Sequence, residues 1–348
     1  MTGKETAKER ETWVDNVKVI ACILVVLGHF FQSMVKSEIL PGGDGYLWFN
    51  QTIYYFHVPL FFICSGYLYQ KYSRVESISA WGQNVWKKLL ALGIPYFTFS
   101  TLTWALKTVF SDAVNDELGG LFETLFISPT APYWYLYALF FLFLITPTFR
   151  DRKMAWGGLT AAAVLKLISL LTGGFSIYAL SAVLSNEIWF VGGMMLGVWD
   201  FQRWMGKRTF RIGIVAGLLF LALSVMVYAA DIDFTGMDFL LGTAACAAVV
   251  LMTASACRGG RQNKIPGFFS RYTMPVFLMH TIFAAALRSA LFKLGITNSI
   301  LHVVLGIGIS FSGPVIAAVI MEKSFFLEFF LYPVKVIESR RNQNAESD

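Results

Sequence analysis

Ten apolar runs, at or near the length that crosses a hydrocarbon layer, govern what this chain can become: 14–35, 51–69, 86–106, 133–149, 154–172, 181–199, 212–229, 237–256, 274–293 and 300–320. About twenty helical residues span the roughly 30 Å apolar core of a bilayer. Inside lipid, only a helix or a closed barrel satisfies its own backbone. These runs are continuous rather than alternating with period two, so they predict helices. With 56% hydrophobic residues, 14% charged and a mean hydropathy of +0.59, a soluble enzyme, a disordered scaffold and a small disulfide-stapled domain are all excluded. The first run lacks a small-residue cleavage site and nine more follow it, so it reads as a retained span rather than a signal peptide. The expected fold is an all-α integral membrane protein, a multi-pass bundle of about ten transmembrane helices.

Charge orients the bundle. Of 28 Lys and Arg, 22 fall in alternate connections and the two ends: Lys4, Lys8 and Arg10; Lys71, Arg74, Lys87 and Lys88; Arg150, Arg152 and Lys153; Arg203, Lys207, Arg208 and Arg211; Arg258, Arg261, Lys264 and Arg271; Lys323, Lys335, Arg340 and Arg341. The intervening connections hold only Lys36, Lys107 and Lys293 but most of the acids, Glu38, Asp44, Asp112, Asp116, Glu117, Glu123, Glu187, Asp231, Asp233 and Asp238. Basic loops stay on the cytoplasmic side, so both termini are expected there. The net charge of +6 therefore reports topology and not nucleic-acid binding. Residues 1–13 read as a cytoplasmic N-terminal segment, 14–320 as one ten-helix domain, and 321–348 as a cytoplasmic tail that begins amphipathic around Phe325, Phe326, Phe329 and Phe330 and then frays. No nucleotide loop, EF-hand or internal repeat is present. Cys22, Cys64, Cys246 and Cys257 are scattered through apolar runs, without the spacing of a disulfide framework or a metal site.

Polar side chains at membrane depth cost free energy and mark the first places to look for chemistry. At 100° per residue, Asp15, Lys18, Cys22, His29 and Ser33 fall within about 60° of one another on the first helix. Lys18 and His29 lie about 16 Å apart along the axis, the lysine near the cytoplasmic end and the histidine in the outer half. In the second run Asn50, Tyr54, His57, Cys64 and Ser65 share an arc of about 100°. His57 then sits roughly 10 Å below the outer surface, level with His29. His280 comes out nearer the midplane, with Arg288 two turns further out. A lone histidine in a bundle more often only hydrogen-bonds a neighbouring helix; two at one depth, one sharing a stripe with a lysine, shift the balance toward a site. Lys18, Lys87 and Lys88 taken singly are snorkelling anchors, His302 is structural, and Trp134-Tyr135 fits an interfacial aromatic belt.

At these residues the chain resembles the membrane-bound acyltransferase-3 family. Asp15-Asn-Val-Lys18 followed by Val25-Val-Leu-Gly28-His29 is similar to that family's first helix, which places a basic residue eleven positions before a histidine. Phe56-His57-Val58-Pro59-Leu60-Phe61-Phe62 through Ser65-Gly66-Tyr67 resembles the second-helix signature of its sugar O-acetylase branch. Trp86-Lys87-Lys88 through Ile94-Pro95-Tyr96, Trp134-Tyr135-Leu136, and Arg271-Tyr272 to Leu278-Met279-His280 match later motifs. The resemblance covers nearly the whole chain in order. It implies transfer of an acyl group, usually acetyl from acetyl-coenzyme A, to a hydroxyl on a cell-surface glycan or lipid-linked saccharide, in a bacterial cytoplasmic membrane. Lysine stands at position 18 where arginine is commoner; it lacks the bidentate fork, so phosphate recognition there is looser.

On this reading Lys18, Lys87, Lys88 and Arg271 hold the phosphates of the coenzyme A donor, and the arm runs from Lys18 to His29. His29 either takes the proton of the attacking hydroxyl or accepts the acyl group itself. His57 orients the acceptor or stabilises the oxyanion, with Ser65 a weaker candidate. Asp15 pairs with Lys18, while His280 and Arg288 support the substrate. No metal and no nucleic acid is expected; the partners are the acyl-coenzyme A, the saccharide acceptor and the lipid bilayer. The rival from another class is a polytopic transporter or flippase in which the intramembrane His and Lys residues line a substrate or proton path.

Overall fold

The computed structural model describes residues 11–73, 75–110, 119–258 and 264–347. The described residues are 82% helical, and among them there are eight helices long and apolar enough to cross a membrane. The protein is an all-α integral membrane protein. In chain order these eight are α1 (Thr12–Lys36), the continuous pair α4 (Ile78–Lys88) and α5 (Ile94–Val109), α7 (Arg152–Thr172), α8 (Tyr178–Val198), α9 (Lys207–Ala229), α10 (Met237–Ala256), α11 (Lys264–Lys293) and α12 (Ser299–Met321). Two further expected runs fold as shorter helices, α3 (His57–Tyr72) and the apolar α6 (Trp134–Ile145). Helix α2 (Asp44–Tyr54) precedes α3; after α12 come α13 (Phe325–Leu331) and α14 (Pro333–Ser347). Leu, Ile, Val and Phe exposed along α7, α9 and α12 form the lipid-facing surface.

Several borders depart from the sequence pattern for local reasons. The second run is not one helix: it breaks at Tyr55-Phe56 between α2 and α3. Pro59, in the first turn of α3, has no N–H for the Tyr55 carbonyl, so the helix restarts before it. Side chains add contacts at the break: His57 Nδ1 bonds the Ile53 carbonyl at 2.6 Å, and the Cys246 thiol reaches the Phe56 carbonyl at 3.8 Å. The fourth run is helical only to Ile145, because Pro147 disfavours a helical Thr146, whose ψ is 112°. Residues 146–149 continue as extended chain inside the protein. There Tyr69 Oη donates to the Thr146 carbonyl at 3.1 Å, and Gln70 pairs with the Phe149 backbone through two bonds of 2.8 and 2.9 Å.

Lys87 and Lys88 stand on a helix unbroken from Ile78 to Val109, through a π-helical turn at Leu89–Gly93, and not in a loop. Helix α11 runs thirty residues and takes in Arg271-Tyr272. The tail expected to fray after its amphipathic start is helical through Ser347. Glu187, counted above among the outer-loop acids, is buried at the middle of α8, where the Thr146 hydroxyl donates to it at 2.8 Å. Lys4, Lys8, Arg10, Arg74, Asp112, Asp116, Glu117 and Arg261, used in the charge argument, lie outside the described residues, as does the segment 1–10.

The tightest contact joins α3 to α8. A Cβ at Gly66 would sit 1.9 Å from the Phe190 carbonyl oxygen, and one at Gly193 would sit 2.0 Å from that of Ile63. The two backbones touch because neither position has a side chain. At the end of the bundle where α1 begins, the basic connections gather. Glu11 bonds Lys71 (2.5 Å), Tyr72 (2.7 Å) and Gln202 (2.7 Å). Val75 meets Thr148 at 2.9 Å, and Arg258 reaches the Met205 carbonyl at 2.5 Å. Four connections expected on one side of the membrane thus share one end.

Candidate active site

Helices α1 and α11 run parallel. Cys22 Sγ meets the Thr273 carbonyl at 3.6 Å, the rings of His29 and His280 lie 5.5 Å apart with a 36° tilt, and Arg288 Nη1 donates to Ser33 Oγ and, at 3.4 Å, to the Ser33 carbonyl. The polar stripe of α1 therefore faces a second polar stripe on α11. Together they make a seam that runs from the start of α1 to a histidine cluster in its second half.

His29 is half-buried and, among the described residues, makes no hydrogen bond. It follows Gly28, where a Cβ would meet Ile53 Cδ1 at 2.9 Å and the Tyr54 ring at 3.4 Å. The missing side chain lets the end of α2 close onto α1 beside His29. His57 is buried, its ring packed edge-on against Tyr54 at 4.6 Å, and it lies within electrostatic reach of His29. His280 is buried at 1% exposure; its Nδ1 lies 3.0 Å from both the Val276 and the Phe277 carbonyl. Above the cluster Gln32 donates to Asn50 at 3.2 Å, tying α1 to α2. Behind it Tyr133 Oη shares a bond with Thr103 at 2.7 Å and reaches the Leu278 carbonyl at 3.0 Å, which fixes α11 just before His280.

The structure brings His29, His57, His280, Ser33 and Arg288 together, but with different partners from those expected. The ring beside His29 is that of His280, which helix arithmetic alone put nearer the midplane. Ser65 does not join the histidines; it shares a hydrogen bond of 3.0 Å with Tyr135 two turns inward. Tyr135 is thus buried and engaged rather than part of an interfacial belt. His302 is tied to the Ile296 carbonyl at 2.8 Å, as a structural residue would be. Sequence reasoning missed Tyr133 and Thr103, although Tyr133 directly precedes the quoted Trp134-Tyr135 motif.

The inner cations are dispersed. Lys18 is half-buried and makes no ion pair among the described residues, so the expected Asp15–Lys18 pair does not form. Lys87 pairs with Glu338 of α14 at 2.7 Å, Arg271 with Glu322 at 2.6 Å, and Lys88 lies 4.1 Å over the Phe143 ring. Near them, burial works to raise the pKa of Glu11, but the bonds from Lys71, Tyr72 and Gln202 outweigh it and hold the carboxyl below 4.5. A surface groove of about 770 Å³ lies beside Lys207, Arg211, Val215 and Leu219 of α9, none of them a histidine of the cluster. It contains no nucleophile or base suited to group transfer, and the seam does. Among the described residues no three His, Cys, Asp or Glu side chains are grouped to hold a metal ion.

Residues 11–319 match the family model described as an acyltransferase domain, that of the acyltransferase-3 family. The chain is 27% identical over 208 residues to the nodulation protein NolL of Mesorhizobium japonicum, covering 56% of this chain and 52% of that protein. It is 27% identical over 169 residues to the inner membrane protein YcfT of Escherichia coli (41% and 44% covered). It is 30% identical over 146 residues to NolL of Sinorhizobium fredii (41% and 37% covered). The chain thus spans about half the length, or less, of these curated relatives. No solved structure matches it.

Proposed function

Because the chain belongs to the acyltransferase-3 family, we propose that it moves an acyl group, acetyl in the first instance, from acyl-coenzyme A at its inner end to a hydroxyl of a cell-surface glycan or lipid-linked saccharide reaching the histidine cluster from outside. The observation that carries this reading is the α1–α11 seam with its half-buried His29, about 16 Å along α1 from Lys18, which makes no ion pair among the described residues. That length suits a thin pantetheine arm, and the cation at its foot suits the phosphates that cannot enter lipid. The alternation of basic and acidic connections supports placing this foot, and both termini, on the cytoplasmic side. The relative named as an inner membrane protein supports the same membrane for this chain.

In the reaction the acceptor oxygen attacks the thioester carbonyl, the C–S bond breaks, and the hydroxyl proton ends on the released sulfur. A neutral His29 serves this by taking the proton as the O–C bond forms and returning it to the thiolate. The alternative route has His29 carry the acyl group between donor and acceptor. In both, His57 faces the reacting carbonyl, and Arg288 with Ser33 supports the acceptor above the histidines. Lys87 and Arg271, already paired with carboxylates, serve the donor only by exchanging those partners, so the reading rests on Lys18.

Calorimetry with acetyl-coenzyme A on the detergent-purified full chain, wild type beside Lys18→Ala, tests this. The expected result is binding to wild type that weakens by about tenfold in the variant, as loss of a charge-assisted contact to phosphate predicts. Folded wild type that binds no acetyl-coenzyme A would instead move the case to the transporter.

A further inference from the structure

His280 is not used by the reaction as just described, yet it is the ring nearest the proposed base. Its Nδ1 lies 3.0 Å from two backbone carbonyls, of Val276 and Phe277. A carbonyl can only accept, so Nδ1 carries the proton and Nε2 carries a lone pair. That Nε2 is buried and has no hydrogen-bond partner. A buried acceptor without a donor is costly and is rarely kept without a use. Its ring lies 5.5 Å from that of His29, in a register held above and below by the Ser33–Arg288 and Cys22–Thr273 contacts. His29, for its part, is half-buried and makes no hydrogen bond among the described residues. One histidine has a bare acceptor with nothing to accept; its neighbour, which as a neutral imidazole carries one N–H, makes no hydrogen bond among the described residues.

We propose that His280 is the positioning residue of His29: its bare Nε2 is placed to accept the N–H that His29 carries on the ring nitrogen not used as base, and so holds His29 both as the neutral base and as the imidazolium formed when it takes the acceptor's hydroxyl proton, until that proton passes to the departing thiolate. This rests on the reading of His29 as the base. The balance is complete without any further reactant: O–H and C–S break, O–C and S–H form, and the proton stays on His29 in between. His57 does not fill this role, since its Nδ1 is held by the Ile53 carbonyl and its ring packs against Tyr54. The arrangement also accounts for the Tyr133–Leu278 and Tyr133–Thr103 bonds, which brace α11 where the ring must be held steady.

Two measurements test it on the full chain in lipid nanodiscs. The chain has four histidines, so ¹⁵N-histidine NMR is assignable by single substitutions. At one fixed pH the expected His280 signals are a protonated Nδ1 and a bare Nε2, the latter shifted in His29→Gln. A protonated Nε2, or one indifferent to His29→Gln, overturns the proposal without any activity being measured. The second is acetyl transfer from acetyl-coenzyme A in membranes holding each variant. His280→Asn keeps a donor near Nδ1 and offers nothing near Nε2, whereas His280→Gln places an amide oxygen there. The expectation is kcat down by about tenfold or more in His280→Asn, with the acetyl-coenzyme A KM within about twofold, and partial recovery in His280→Gln. A merely structural histidine would give the opposite order of the two variants, and that result contradicts the proposal. Wild-type turnover in His29→Ala would instead sink the underlying reading of His29, so the two failures are told apart.

Discussion

The two ends of the α1–α11 seam handle polar groups in opposite ways. At the end where α1 begins, three exposed cations pair with carboxylates: Lys87–Glu338 with side chains 57% and 60% exposed, Arg271–Glu322, and Lys335–Glu328. In the outer half, His57, His280 and Arg288 are buried among apolar helices, with backbone carbonyls and a serine for partners. Water makes the first arrangement cheap and each of its pairs weak. Lipid and protein make the second expensive, so its members must be held by geometry. Groups that are costly to bury yet incompletely satisfied, as His280 Nε2 is, belong to chemistry; groups that are cheap and paired belong to topology.

Substitutions can break that contrast in order of effect. Ser33→Ala takes a partner from buried Arg288 and is expected to destabilise by about 1–3 kcal/mol, read by thermal unfolding in detergent. Equal stability would mean the outer half is wetter than described. Glu11→Gln probes the one inner carboxylate with three partners. Its folded pKa lies below the ordinary 4.5, so the charged form favours the fold; the contribution is present above about pH 4.5 and is lost as pH falls through the depressed value. The variant should be less stable by about 1–2 kcal/mol at pH 7, the difference closing below pH 4.5, and a gap that persists in acid would assign the loss to packing. Lys87→Gln breaks an exposed pair and is expected to change stability by under about 0.5 kcal/mol; a larger loss would show that α14 is docked through it.

Much of this was legible in the chain. The apolar runs and alternating charges give the helices and the shared end, because both follow from what lipid does to backbone and charge. The stripe from Asp15 to Ser33 was visible since helix periodicity holds unbroken along α1. It failed at Tyr54–His57, where Pro59 interrupts the helix and the 100° count no longer carries across. The His29–His280 contact was hidden for another reason: 251 residues separate them, and the register of α1 on α11 is set by packing that neither sequence shows alone. Ser65 had the right depth pattern but the wrong partner, because Tyr135 arrives from α6.

The central claim is acyl transfer at His29 from a donor on the inner side. It is tested most directly by supplying labelled acetyl-coenzyme A to inside-out vesicles from producing cells and following label into membrane-retained acceptor, wild type beside His29→Ala. The account predicts transfer by wild type and a fall of about 100-fold or more in the variant, with acetyl-coenzyme A binding retained. A His29→Ala protein that transfers label at the wild-type rate would contradict it.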